Sequence, residues 1–156
     1  MSHDIKKFKP RKNSRYVQGT FNPASARKLF ESQKSKPIIY RSSWERRFII
    51  WLENSSTVKR WGNECVGIPY ISPLDNKQHV YYPDFIVEFT DGTTSLIEVK
   101  PHSETVKPTN MKSQYAVNTY VKNVAKWKAA KDFCQKNGIK FSIITEHTID
   151  HLKINR

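Results

Sequence analysis

Asp91-Gly92 sits between two strand-like runs, and no other dipeptide in the chain limits the fold as much. An Asp-Gly pair tolerates the positive φ of a tight hairpin turn, so the runs on either side are expected to pair antiparallel. Residues 79–89 precede the turn and residues 93–100 follow it; both runs are rich in β-branched and aromatic residues. Strand alternation then sorts their side chains. Tyr82, Asp84, Ile86 and Glu88 share one face of the first run, and Phe85, Val87 and Phe89 take the other. In the second run Leu96, Glu98 and Lys100 share a face, while Ile97 and Val99 read as core. The hairpin can therefore bring Asp84, Glu98 and Lys100 together at one end of a sheet.

The remaining elements follow from periodicity. A helix is expected from an N-cap at Ser42 or Ser43 to about residue 54, with Trp44, Phe48, Trp51 and Leu52 as its apolar stripe and Glu45 beside it. Residues 65–71 read as a short strand that Pro69 confines to an edge or an irregular position. Asp75-Asn76-Lys77 reads as a turn and residues 101–110 as a loop. A second helix is expected over 114–137, with Tyr120, Val124, Trp127, Ala130 and Phe133 on one face and Gly138 as its stop. A last strand over 139–145 precedes a short helix after Glu146, and another short helix is expected at 25–30. The order α-β-β-β-α-β gives a mixed α/β (α+β) class, a small sheet flanked by helices.

Charge divides the chain. Its net formal charge is +13, and residues 1–41 hold 11 basic against two acidic side chains, a net +9. We expect a basic, solvated and partly disordered arm over residues 1–37, followed by one domain over 38–156. Such an arm is either a plain solvated tail or a tracker of phosphates that gains affinity by releasing counterions. Lys6, Lys7, Lys9, Arg11, Lys12, Arg15, Arg27 and Lys28 in the arm, with Arg41, Lys126 and Lys128 beyond it, are the candidate contacts to a polyanion. Tyr16, Phe21 and Phe30 interleave with them and either stack on bases or anchor the arm. No apolar run is long enough to span a membrane, and the charged N-terminus lacks a signal-peptide core. Cys65 and Cys134 have no metal-ligand spacing and fit a reducing compartment.

Two carboxylates and an ammonium at one sheet end suit a hard divalent cation, which takes oxygen ligands and keeps several waters. Such a cation can turn a bound water into a nucleophile against phosphorus. The Val99 carbonyl is a further oxygen donor. The competing account is a salt bridge of Lys100 with Asp84 or Glu98. Glu45 reads either as a rim carboxylate paired with Arg41 or Arg46, or as a third acid over the same site.

Pro83-Asp84 followed after thirteen residues by Glu98-Val99-Lys100, with Glu45 on the preceding helix, resembles the signature of the PD-(D/E)xK nuclease superfamily. The ordered series Ser43-Trp44-Glu45-Arg46-Arg47-Phe48, Tyr82-Pro83-Asp84-Phe85, Ile97-Glu98-Val99-Lys100 and Phe141-Ser142-Ile143-Ile144-Thr145-Glu146 resembles the TnsA-type N-terminal nuclease domain and, more closely, the head completion nucleases of T4-like phages. The resemblance spans roughly residues 38–150. It implies a restriction-endonuclease-like core and metal-dependent hydrolysis of DNA, with Mg²⁺ as cofactor and Mn²⁺ as a workable substitute. It implies that Asp84 and Glu98 hold the metal with the Val99 carbonyl. Lys100 would orient or help deprotonate the attacking water, and Glu45 would position a second metal or its water. It further implies a helical polar or basic residue, for which Gln114, Lys126 and Lys128 are candidates. Portal or neck proteins are the implied partners, and the host cytoplasm during assembly, or the virion, the implied location. The alternatives are a non-catalytic DNA plug of the same fold, a transposition endonuclease subunit, and an RNA-binding protein.

Overall fold

The computed structural model describes residues 19–109 and 113–152. A four-stranded sheet at its centre runs β3 (Val58–Asn63), β6 (Phe85–Phe89), β7 (Thr94–Val99), β8 (Lys140–Ile144). The first three strands are antiparallel and β8 joins β7 in parallel. The parallel step requires a long crossover, and the helix α2 (Gln114–Asn137) supplies it. Two small hairpins complete the sheets: β1 (Gly19–Phe21) with β2 (Ile38–Tyr40), and β4 (Ile68–Ile71) with β5 (Gln78–Tyr81). The mixed α/β expectation holds.

Each face of the central sheet carries its own core. Phe85, Val87, Ile97 and Val99 pack on one face with Phe48, Ile49 and Leu52 of α1 (Ser43–Asn54) and with Ile149 of α3 (Glu146–His151). Leu96, on the other face, packs with Ile68, Tyr70 and Tyr81 of the β4–β5 hairpin and with Trp127, Ala130 and Cys134 of α2. The buried line on α2 is Asn123, Trp127, Ala130 and Cys134, whereas Val124 is exposed. The apolar face therefore ends near Trp127 instead of extending through Val124. Gly138 stops α2 in a left-handed conformation, with φ of 67°, as expected of a residue without a Cβ.

Four parts of the sequence reading change. The run 79–89 is two strands, because Tyr82-Pro83-Asp84 carries the chain from the small hairpin into the central sheet. Proline has no N–H to continue a ladder, and Pro83 is fully buried at this crossing. Strand β3 has no counterpart in the sequence reading. A bulge between Val58 and Arg60 breaks its alternation, placing two exposed residues before the buried Trp61. Finally, residues 19–37 belong to the folded body and not to a solvated arm. Ala26 and Leu29 are buried in the α1-side core, Leu29 bridges to Trp61, and Gln33 bonds both the N–H and the carbonyl of Asn63. The expected helix over 25–30 is only a 3₁₀ turn at Pro23–Ser25. Phe21 packs on the core and the Phe30 ring lies under Arg60, so both anchor this segment. Tyr16 and the basic residues Lys6, Lys7, Lys9, Arg11, Lys12 and Arg15 lie outside the described residues.

Leu29 is 2% exposed. Leu29→Ala should lower unfolding free energy by about 2–4 kcal/mol in urea titration, with the denaturant slope unchanged. A loss below about 0.5 kcal/mol, the size of a surface substitution, would return this segment to a loosely attached arm.

Candidate active site

A cleft of about 540 Å³ opens where β6 begins and β7 ends. Glu45, Asp84, Glu98, Val99, Lys100, Arg41 and Lys126 all line it. The pairing of Phe85 with Ile97 continues to set Asp84 beside Glu98, as the hairpin argument requires. One Asp84 carboxylate oxygen accepts the Val99 N–H at 2.8 Å. The Glu98 Oε2 accepts the Tyr81 hydroxyl at 2.7 Å and the Asp84 N–H at 3.3 Å. Lys100 Nζ lies 3.7 Å from Glu98 Oε1. The N–H and carbonyl of one strand residue point to the same side. The Val99 carbonyl therefore lies on the Asp84 side.

Helix α1 aims Glu45 into the same cleft. Ser42 caps the helix by accepting the Glu45 N–H, and the Glu45 carboxylate accepts the Arg41 N–H at 2.9 Å. This is a capping box reaching one residue further back than usual. The role explains why Glu45 is tolerated on an apolar helix face. Arg41 pairs with Glu64, which also lines the cleft.

Sequence reasoning missed three residues here. Tyr81 fixes Glu98. Asn63 and Glu64 hold the main-chain carbonyl of Asp84, through Asn63 Nδ2 at 2.9 Å and the Glu64 N–H at 3.0 Å. Glu64 has φ of 48°, a left-handed conformation uncommon for glutamate, which lets its N–H turn toward Asp84. Recognising β3 would have found both. Lys28 does not face the cleft; its ammonium bonds the Ser55 carbonyl at the C-terminal end of α1. Arg27 and Lys128 are exposed and are not among the cleft-lining residues.

Charge in the cleft is unbalanced. Burial drives Asp84 well above the ordinary carboxylate range, and the neighbouring Glu98 and Glu45 add to the rise while the Val99 N–H opposes it. Burial also raises Glu98 against the opposing Lys100 charge and Tyr81 hydroxyl. Glu45 is pushed up to about 7 by burial, opposed by the Arg41 N–H and charge and assisted by Glu64 and Glu98. For Lys100, burial pulls down, but Glu98, Glu104, Asp84 and Glu45 together raise it. Burial lowers Lys126, with Lys122 and Lys100 adding repulsion.

Among the described residues, no group of three or more His, Cys, Asp or Glu side chains is arranged to hold a metal ion. The donor chemistry fits a sparser demand. Mg²⁺ uses one or two carboxylates and retains several waters. Adjacent Asp84 and Glu98, with a carbonyl on the same side, meet that requirement, and a divalent cation would relieve the charge that burial makes costly.

The family model described as "TnsA-like endonuclease N terminal" matches residues 55–146. That stretch contains Asp84, Glu98 and Lys100, and begins after Glu45. The "Head completion nuclease" of Enterobacteria phage T4 is 38% identical over 120 residues, covering 71% of this chain and 80% of the relative.

The raised Glu45 sets a pH dependence. Its folded-state pKa of about 7 exceeds the ordinary 4.5. The native state thus holds a proton that the unfolded chain releases. Stability contributed by protonated Glu45 is present below about pH 4.5 and is lost as pH rises to about 7, by roughly 3 kcal/mol at most. In EDTA, urea titrations should give lower stability at pH 8 than at pH 5.5. Glu45→Gln should reduce that difference, and an identical pH dependence in the variant would refute the assignment.

Proposed function

The chain belongs to the TnsA-like endonuclease N-terminal family, and from that premise we propose that it hydrolyses DNA phosphodiester bonds with Mg²⁺ during completion of a phage head. The observation that carries the reading is the convergence of Asp84, Glu98, Lys100 and Glu45 on one cleft. Asp84 and Glu98 would hold the cation with the Val99 carbonyl, and Mn²⁺ would serve in its place. When bound, the cation supplies Lewis-acid stabilisation and lowers the pKa of water.

The protein's own groups divide the remaining work. Val99 N–H and Tyr81 hydroxyl orient the two carboxylates, so little reorganisation is needed when charge develops. Lys100, raised by its acidic neighbours, enters as an ammonium. It orients the attacking water and offsets negative charge on the phosphoryl oxygens as the new P–O bond forms and the bridging P–O bond breaks, the departing oxygen taking a proton from solvent. Glu45, with a pKa of about 7, is matched to taking the proton from that water at neutral pH. It is also the acid available to a second cation.

A non-catalytic plug of the same fold would gain nothing from acids whose burial costs stability. The T4 relative's name motivates the head-completion setting. Portal or neck proteins are then the proposed partners, and the host cytoplasm during assembly the proposed location. Among the described residues no helix is long and apolar enough to cross a membrane.

Purified protein incubated with linear and circular, single- and double-stranded DNA should cut in Mg²⁺ or Mn²⁺ and not in EDTA. Lys100→Ala and Asp84→Asn should reduce cutting by about 10²–10³-fold or more while remaining folded and able to bind DNA. Undiminished cutting by both variants, or none by the parent on any DNA, would sink the reading.

The six basic residues from Lys6 to Arg15 remain the proposed phosphate-tracking set. Replacing all six with Gln should flatten the salt dependence of DNA binding, the log–log slope falling by up to about 5. An unchanged slope would exclude them.

A further inference from the structure

Helix α2 presents a stripe that the proposed chemistry does not use. Tyr115, Thr119, Lys122 and Lys126 follow one another at steps of four, three and four residues, which places them on one helical face. The two ends of the stripe lie in different hollows. Lys126 lines the active-site cleft. Tyr115 and Thr119 line a groove of about 170 Å³, closed on its other side by Val106 and Pro108. Glu104 lines both hollows, so the cleft and the groove adjoin.

Isolated exposed aromatic or basic residues are ordinary on protein surfaces. Several observations set this stripe apart. Tyr115 is 82% exposed at the mouth of the groove and Val106 opposite it is 46% exposed, so among the described residues an aromatic ring and an apolar side chain line the groove with much of their surface uncovered. Among the described residues, neither Lys122 nor Lys126 forms an ion pair; the Lys126 ammonium lies instead 5.4 Å from the centre of the Tyr81 ring. The two ammoniums are also close enough to repel one another. Like charges held together beside a cleft, and then an exposed aromatic ring, form the combination that binds a nucleic-acid strand: cations on phosphates and a π-face for a base.

Resting on the endonuclease reading, we propose that α2 is the track for one unpaired DNA strand, so that the substrate class is duplex DNA with a single-stranded tail. The phosphate beside the cut lies near Lys126, the next phosphates meet Lys122, and a base stacks on Tyr115 in the groove. From Lys126 to Tyr115 is about 16 Å along the helix at 1.5 Å per residue. That is about five nucleotides at the 3.4 Å per-strand rise of B-form DNA, and fewer in an extended strand. A paired base is held in its stack and cannot swing into the groove, so only an unpaired base can lay a face on Tyr115. Glu104, beside Lys100 on the shared wall, repels phosphates and keeps the backbone on the α2 side.

The test compares a blunt duplex with the same duplex carrying a 3′ or 5′ tail of about eight nucleotides, binding being read by fluorescence anisotropy in EDTA. The parent should bind one tailed form about tenfold or more tightly than the blunt form. Tyr115→Ala should remove that preference while leaving blunt-duplex affinity unchanged, and Tyr115→Trp should retain it. Lys122→Gln should lower the salt slope for the tailed form by about 1. Equal binding of blunt and tailed DNA by the parent, or equal weakening of both by Tyr115→Ala, overturns the track. Cutting of the same substrates in Mg²⁺ separates the two readings. A tail preference without cutting leaves the track standing and removes the nuclease; cutting without a tail preference does the reverse.

Discussion

Asp84 is held at every polar group it possesses, and the site is arranged around that restraint. Its N–H meets Glu98, its carboxylate meets the Val99 N–H, and its carbonyl receives bonds from Asn63 and Glu64. The same residue ends the stretch in which the chain leaves the small hairpin for the central sheet. One crossing therefore joins β3, β6 and β7 at a single point. Breaking it would free a half-buried carboxylate and loosen three strands together. This is why the acids can be brought close despite their mutual repulsion: the backbone bonds that fix them are the bonds that hold the sheet end together.

The two cores divide the labour. The α1-side core positions Glu45 by fixing the helix whose first turn carries it. The α2-side core positions Tyr81 and, through it, Glu98. The cleft opens between them, so its walls come from elements far apart in sequence. Its floor is strand and its sides are the first turn of α1, the middle of α2 and the end of β5, so the acids stand on regular elements, which hold geometry better than loops do. Excess acid in the floor, flanked by Arg41, Lys100 and Lys126, gives a place where a cation and a polyanion can both be accommodated.

Much of this was legible in the chain. The Asp91-Gly92 turn fixes the register of the central hairpin, and period-two alternation then puts Asp84 and Glu98 on one face. Ser42 as N-cap marks the start of α1, and Gly138 marks the end of α2. Strand β3 was not legible, because its bulge disrupts alternation and Lys59-Arg60 resembles a solvated loop. Asn63 and Glu64 were hidden with it. The segment 19–37 was read as arm because charge dominates its composition. The few apolar side chains that decide its placement, Ala26 and Leu29, are too sparse to show a period.

Sequence alone determined the turn, the strand faces and the residue types that chemistry at a phosphate requires, because these follow from local backbone geometry and from ligand hardness. Only tertiary structure decided that residues 79–89 split between two sheets, that Tyr81 rather than a second basic group secures Glu98, and that Lys126 alone of the three helical candidates faces the cleft. Those outcomes depend on packing across long separations, such as that of Trp127 with Leu96 and Tyr81, which no local pattern records.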